Sequence, residues 1–360
     1  MPENRHRQEL TSIFAAGLER VNPYTMIGRQ VRLAGDRLTV STETAPLEVD
    51  LADFDRILLL GAGKASAPMA RAFEELLGER IADGLVCVKE GHGEPLARAR
   101  LAEASHPVPD RRGLEAARQM AALARLADAR TLVITCISGG GSALLPSPLD
   151  EPFSGGRVTI SLADKQATTS ALLRCGADIR EINCVRKHIS GMKGGRFLQL
   201  LAPARSLNFI LSDVIGDDLG SIASGMTSAD TTSFADALAI IERYRLRDAI
   251  PAGVLRALEL GVAGDLPETV KPGDAVLGRT DNILLGTNRQ ALQAAGARAR
   301  ELGYQVQLLS AQIAGEARHV GKMLADIARD VAVSDMFLAK PACLLVGGET
   351  VVTLQGGGKG

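Results

Sequence analysis

Short, continuous apolar runs alternate with helix-period segments through the first part of the chain. Arg56–Leu60 reads as a buried parallel strand, followed by the turn Gly61-Ala62-Gly63-Lys64 and an amphipathic helix to about Leu77. Gly84–Val88 is a second short strand. Asp110 is placed to N-cap the Ala-rich helix Gly113–Leu126. Thr131–Ile137 is a strong strand that runs into Ser138-Gly139-Gly140-Gly141-Ser142, and Leu207–Leu211 is another that ends at Ser212-Asp213. Runs of this length separated by helices predict βαβ units. They point to a Rossmann-like, mostly parallel sheet with helices on both faces.

The pattern predicts a boundary after Asp230, giving one α/β domain over residues 1–230 and a second over 231–360. Ser233–Arg243 reads as helix, and Gly261–Gly278, rich in Gly, Pro and Asp, as a long surface loop. A second βα pattern follows: strand Ile283–Leu285, turn Gly286-Thr287-Asn288, helix Arg289–Leu302, strand Gln305–Leu309, helix Glu316–Val333 and strand Cys343–Val346.

Composition narrows the function classes. The chain has 46% hydrophobic and 23% charged residues, ordinary for a globular protein of two domains. Aromatics are 3%, without Trp, which argues against a stacking platform for single-stranded nucleic acid. A net charge of −1 leaves no basic field for polyanions, so any phosphate chemistry must rest on local charge. Cys87, Cys136, Cys175, Cys184 and Cys343 form no CxxC pair, and the first two and the last lie in apolar runs as small core residues. The N-terminal residues are polar and no apolar run approaches membrane-spanning length, so the sequence reads as cytoplasmic.

Glycine-rich turns follow several strands, the end at which open α/β sheets bind ligands. In Gly61-Ala62-Gly63-Lys64-Ala65-Ser66 the glycines admit an anion and Lys64 adds charge. It is no Walker A loop, because Leu58 and Ala65 occupy required Gly and Ser/Thr positions. It is an imperfect dinucleotide fingerprint, because Ser66 replaces the third Gly. Three consecutive glycines in Ser138–Ser142 imply a close approach to the backbone. The segment Asn183–Gly195 carries Arg186, Lys187, His188, Lys193 and Gly194-Gly195. As a cluster it could clamp phosphate oxygens, while Lys187 alone reads as a solvated position and His188 alone as a packed or capping histidine. Asp213 ends an apolar strand, where a carboxylate can hold Mg²⁺ or orient a hydroxyl, whereas Asp217 and Asp218 could cap the next turn. Ser224-Gly225-Met226-Thr227 is a further turn of this group. Asn288 is either an N-cap or a donor to a substrate oxygen, and Glu349 could meet a ribose, a metal or a basic neighbour. No Cys/His zinc spacing and no GxSxG elbow occur.

Together these segments resemble the class II glycerate kinases, the glycerate 2-kinase family whose C-terminal part is called MOFRL. The resemblance rests on GAGKAS at 61–66, SHPVPD at 105–110, ISGGGSALL at 137–145, NCVRKHIS at 183–190, KGGR at 193–196 and LSDVIGDDLGSIASGMTSAD at 211–230. LLGTN at 284–288 and GGET at 347–350 complete it. The resemblance implies two α/β domains with the active site in a cleft between them, and ATP- and Mg²⁺-dependent phosphorylation of D-glycerate to 2-phosphoglycerate. Phosphoryl transfer asks mainly for positioning and charge stabilisation. Lys64 would stabilise the transferred group, and Arg186 and Lys193 would hold the carboxylate or the phosphates. Gly61, Gly63, Ser66 and Ser138 to Ser142 would line the anion, and Asp213 would orient the hydroxyl or bind Mg²⁺. Asn288, Glu349 and Lys359 would add from the second domain. Small molecules are the expected partners, with no nucleic acid or membrane, and a homodimer is compatible with the sequence.

The sequence stops in Gly356-Gly357-Gly358-Lys359-Gly360, a turn suited to an anion. In the family this turn runs on into an Arg-Asn-Gln-Glu type segment, a further strand and a TDG-type loop. The expectation is a longer parent protein, with weak ligand binding and little kinase activity in a chain ending here. Two alternatives compete: an NAD(P)H-dependent hydroxypyruvate reductase, supported by the imperfect Gly61 fingerprint but with Asp83 placed before its strand, and a non-catalytic ligand-binding form.

Overall fold

The structure, a computed structural model, describes residues 2–42, 45–334 and 338–353. Contacts divide the chain into two compact units. The larger comprises Ile27–Leu211 and Asp218–Leu285, and the smaller the described residues of Met1–Met26, Ser212–Asp217 and Gly286–Gly360. The division expected at residue 230 falls inside the larger unit, because the chain returns after it to complete the sheet.

Helix α1 (Pro2–Arg20) opens the chain and α2 (Thr25–Gln30) follows. A three-stranded antiparallel sheet is built from β1 (Val31–Ala34), β2 (Arg37–Val40) and β3 (Leu47–Asp50). Then come β4 (Arg56–Ala62), α3 (Ser66–Leu77), β5 (Ile81–Lys89), β6 (Arg100–Ala104), α4 (Arg111–Arg125) and β7 (Thr131–Ile137). After the short helix α5 (Gly141–Leu144) and the hairpin β8 (Asp150–Phe153) and β9 (Gly156–Thr159) come α6 (Leu162–Arg174), α7 (Ile179–His188) and α8 (Arg196–Leu201). The unit finishes with β10 (Arg205–Leu211), α9 (Phe234–Arg243), α10 (Ala252–Val262) and β11 (Thr280–Gly286).

The central sheet has the order β11-β10-β7-β4-β5-β6, with β10, β7, β4, β5 and β6 paired parallel. Taking its strands in chain order, this is 6-5-4-1-2-3, the doubly wound dinucleotide-binding order. Every residue of β7 is buried, as its continuous apolar run requires in a sheet covered by helices. Helix α3 packs on β4, β5 and β7, and α4 on β5 and β6. Asp110 caps α4 by accepting from the Gly113 amide at 3.0 Å. The expected strands and helices are present, with ends extended by a few residues. Asp83 lies within β5 rather than before it.

The expected surface loop after α10 is buried in its middle. Leu266, Thr269 and Val270 are nearly inaccessible, because Gly194 and Gly195, both left-handed, leave a groove without side chains into which Thr269 and Val270 pack. A second core lies among α6, α7, α9 and α10, around Leu172, Val185, Phe234 and Leu258.

In the smaller unit, α1 packs on α11 (Asn288–Glu301), where Gly17 approaches the backbone of Ala291. Strand β12 (Gln305–Ile313) pairs parallel with β13 (Ala342–Gly348), and α12 (Ala317–Ser334) connects them. Among the described residues no helix is long and apolar enough to cross a membrane.

Candidate active site

The sheet order reverses between β4 and β7, and ligands of such sheets bind beyond the carboxyl ends of the strands at that point. Both of the first two glycine turns lie there, one after each strand, and they are bonded to each other. Ser138 N donates to Ala62 O at 3.1 Å, and Lys64 N to Gly139 O at 2.9 Å. The Ala65 amide donates to Ser138 Oγ at 2.9 Å.

The glycines divide by role. Gly61 lies inside β4, where a methyl group would press on Val86 and the Cys136 carbonyl. Gly63 has φ +141° and stands so close to Ser138 that a methyl group would sit 2.2 Å from its Oγ. Gly141 leaves room for Ala223. These positions, with buried Ser66 and Ser138, build the frame. Gly139 and Gly140 are half-buried, and among the described residues nothing accepts from their amides. Lys64 is half-buried and its ammonium has no partner among the described residues. Its Cε and the His106 ring both flank Gly140, within 3.3 Å of where a methyl group would stand. His106 carried no assigned role in the sequence reading.

Helix α7 brings the next group. Asp178 and Glu181 form its capping box, and its last turn carries Arg186, Lys187 and His188. Arg186 Nη2 donates to Ser142 Oγ at 2.5 Å, and Lys193 Nζ to Ser142 O at 2.8 Å. Lys193 has no exposed surface. Lys165, on α6, is also buried, and its Nζ donates to the carbonyls of Arg186 and Ile189 at the end of α7. None of Arg186, Lys193 and Lys165 has an ion-pair partner among the described residues. Burial, with Arg186 and a second cation close by, pushes the Lys193 and Lys165 ammonium groups well below the usual lysine range, and burial lowers the Arg186 guanidinium. The half-buried Arg186 and the buried Lys193 and Lys165 thus present donors with no carboxylate opposite them, and a bound anion would favour their charged forms. Lys165 was missed in the sequence. Its signal was helical spacing, since Lys165, Thr168 and Leu172 share one buried stripe of α6.

Two expectations of the same segment are resolved by burial. Lys187 is not a solvated position: it is buried, paired with Asp230 at 3.2 Å and close to Gly220, under the segment that joins β10 to α9. Burial alone would raise the Asp230 carboxyl, but the Lys187 charge and bonds from Thr232 outweigh it and hold it below the usual range. His188 is a packed histidine, edge-on to Phe234, with Nε2 3.2 Å from Glu268.

Asp213 follows β10 and is exposed, without a partner among the described residues. Asp218 caps its own turn by accepting from Gly220 N and Ser221 Oγ. In the smaller unit Thr287, not Asn288, caps α11. The Asn288 amide donates to Ala311 O at 2.8 Å and lies against Gly347, so it ties β12 to β13. Gly348 admits the Ile313 backbone, and Glu349 is exposed. Lys359 lies outside the described residues. Among the described residues no cluster of three or more His, Cys, Asp or Glu could hold a metal ion. A dedicated protein cage for Mg²⁺ is therefore not what these residues fit. A cation carried by nucleotide phosphates needs only one or two carboxylates.

The model of the domain of unknown function DUF4147 matches residues 9–259. A glycerate 2-kinase of Pyrococcus horikoshii is 34% identical over 344 residues, covering 95% of this chain and 74% of that protein. A protein of Agrobacterium vitis, provisionally named a hydroxypyruvate reductase, is 41% identical over 305 residues, 85% of this chain and 74% of its own. The crystal structure of a glycerate kinase from Thermotoga maritima superposes with a TM-score of 0.79 at 34% identity, covering 99% of this chain and 77% of that one. On that match and these identities, the chain belongs to the DUF4147 family, which includes the glycerate 2-kinases.

Proposed function

We propose that the chain is a glycerate 2-kinase, transferring the γ-phosphoryl group of ATP to the 2-hydroxyl of D-glycerate. The observation that carries this reading is the switch point itself: Lys64 and the Gly139 and Gly140 amides, which have no partner among the described residues, backed by Arg186 and the buried Lys193 and Lys165, none of them ion-paired there. Such a set stabilises charge on a transferred phosphoryl group without covalent chemistry. Lys64 and the two amides take the phosphoryl oxygens. Arg186 holds the glycerate carboxylate or a phosphate, and Lys193 supports Ser142 from behind. Asp213 orients the hydroxyl or shares Mg²⁺ that arrives with the nucleotide. Asn288, Glu349 and Lys359 belong to the same proposal as nucleotide or substrate contacts. The relatives named as glycerate 2-kinases support the substrate.

A second reading, a nicotinamide-dependent reductase of hydroxypyruvate, draws on the dinucleotide-type strand order and on Glu90. This residue directly follows β5, where a ribose partner sits in such folds, but here it pairs with Arg112 at 2.9 Å. The test is ³¹P NMR of the product formed from ATP, Mg²⁺ and D-glycerate, with a parallel NADH and hydroxypyruvate arm. The 2-phosphoglycerate resonance supports the kinase. Its absence together with NADH consumption replaces the kinase by the reductase.

A further inference from the structure

Asn183 and Arg186 stand one turn apart on α7 and reach the same pair of hydroxyls. Arg186 Nη2 donates to Ser142 Oγ at 2.5 Å, Ser142 Oγ lies 2.7 Å from Ser224 Oγ, and Ser224 Oγ donates to Asn183 Oδ1 at 3.2 Å. A guanidinium only donates and an amide oxygen only accepts. The Ser224 proton therefore goes to Asn183, and the Ser142 proton to Ser224. The chain of bonds has one direction, away from Arg186.

The turn that carries Ser224 is unfavourable by itself. Ala223, Ser224 and Gly225 are all left-handed, with φ of 49°, 56° and 67°. Only the last is a glycine, and side chains disfavour that region. Neighbouring glycines hold the turn in place. Gly194 N donates to Ser224 O at 3.1 Å and Gly195 N to Gly225 O at 2.7 Å, while Gly141 makes room for the Ala223 methyl group. Ser224 is 1% exposed, so solvation does not explain a serine there. A turn that merely reversed the chain would be better served by glycine.

We propose that Ser224 is a positioning residue: its hydroxyl, held on this strained turn, fixes Ser142 as an acceptor and so sets the direction of the Arg186 guanidinium. This rests on the reading of Arg186 as an anion-holding group. Ser142 then orients Arg186 and does not itself donate to the ligand.

The test has a kinetic and a ligand-free arm. In the kinase assay, Ser224→Ala raises the KM for D-glycerate or ATP about tenfold, with kcat changed much less. The same substitution adds nothing in an Arg186→Lys background. An equal effect in both backgrounds would overturn the proposal. In the ligand-free protein, the ¹⁵Nε–H resonance of Arg186 shifts or broadens in Ser224→Ala and equally in Ser224→Gly, which relieves the backbone but lacks the hydroxyl. An unchanged resonance in Ser224→Ala, or a wild-type one in Ser224→Gly, would also overturn it. If the wild type makes no phosphoglycerate, the kinase reading fails, and the NMR arm still decides the positioning role.

Discussion

The Lys64 amide donates to the Gly139 carbonyl over 2.9 Å. With Ala65 N on Ser138 Oγ and Ser138 N on Ala62 O, this makes the turns after β4 and β7 one body at the point where the sheet order reverses. Lys64 is thereby fixed by its backbone while its ammonium stays available.

Gly63→Ala should be severely destabilising. The added methyl group would stand 2.2 Å from Ser138 Oγ and 2.5 Å from its carbonyl oxygen, at a φ of +141°. A loss of about 3 kcal/mol or more is expected in urea denaturation. Gly35→Ala, also left-handed but with open space around it, is the control and should cost about 1 kcal/mol.

The buried Lys187–Asp230 pair links stability to pH. The folded Asp230 carboxyl lies below its ordinary value of 3.8. Its contribution is therefore complete above that value and is lost as pH falls through the lower, folded one. Lys187→Met should cost about 3–5 kcal/mol near neutral pH, because it leaves a buried carboxylate unpaired. That cost should shrink as pH falls, because without Lys187 burial raises the Asp230 carboxyl and its protonation removes the unpaired charge. Denaturation curves between neutral and acidic pH check both, and a stability difference that does not change with pH would refute the pairing.

Thiol labelling should single out Cys175. Burial pushes the Cys184 thiol to about 11 and Cys87 to about 12, and raises Cys136 and Cys343 as well. Only Cys175 is partly exposed. Mass spectrometry after brief treatment of the native protein with a disulfide reagent should find Cys175 modified, and Cys175→Ala should abolish the rapid phase.

The parallel sheet was legible because β4, β7 and β10 are short unbroken apolar runs, and the two glycine turns were legible because they follow such runs. The positions of Lys187 and of Thr269 and Val270 were not. Both depend on what packs opposite: the segment carrying Gly220 and Asp230 over Lys187, and the side-chain-free groove at Gly194-Gly195 beneath the loop. Lys165 shows the same limit, since its isolated charge masked a buried helical stripe. The packing role of Gly347 and Gly348 was not legible either: within their unit they accommodate Asn288 and the Ile313 backbone.

The most direct test of the phosphoryl site is the kcat/KM of Lys64→Ala with ATP, Mg²⁺ and D-glycerate, read alongside its thermal midpoint. The Lys64 ammonium has no protein partner among the described residues, so the fold should be unaffected. Catalytic efficiency should fall about 100-fold or more. An unchanged kcat/KM would contradict the assignment of the switch point as the phosphoryl-transfer site.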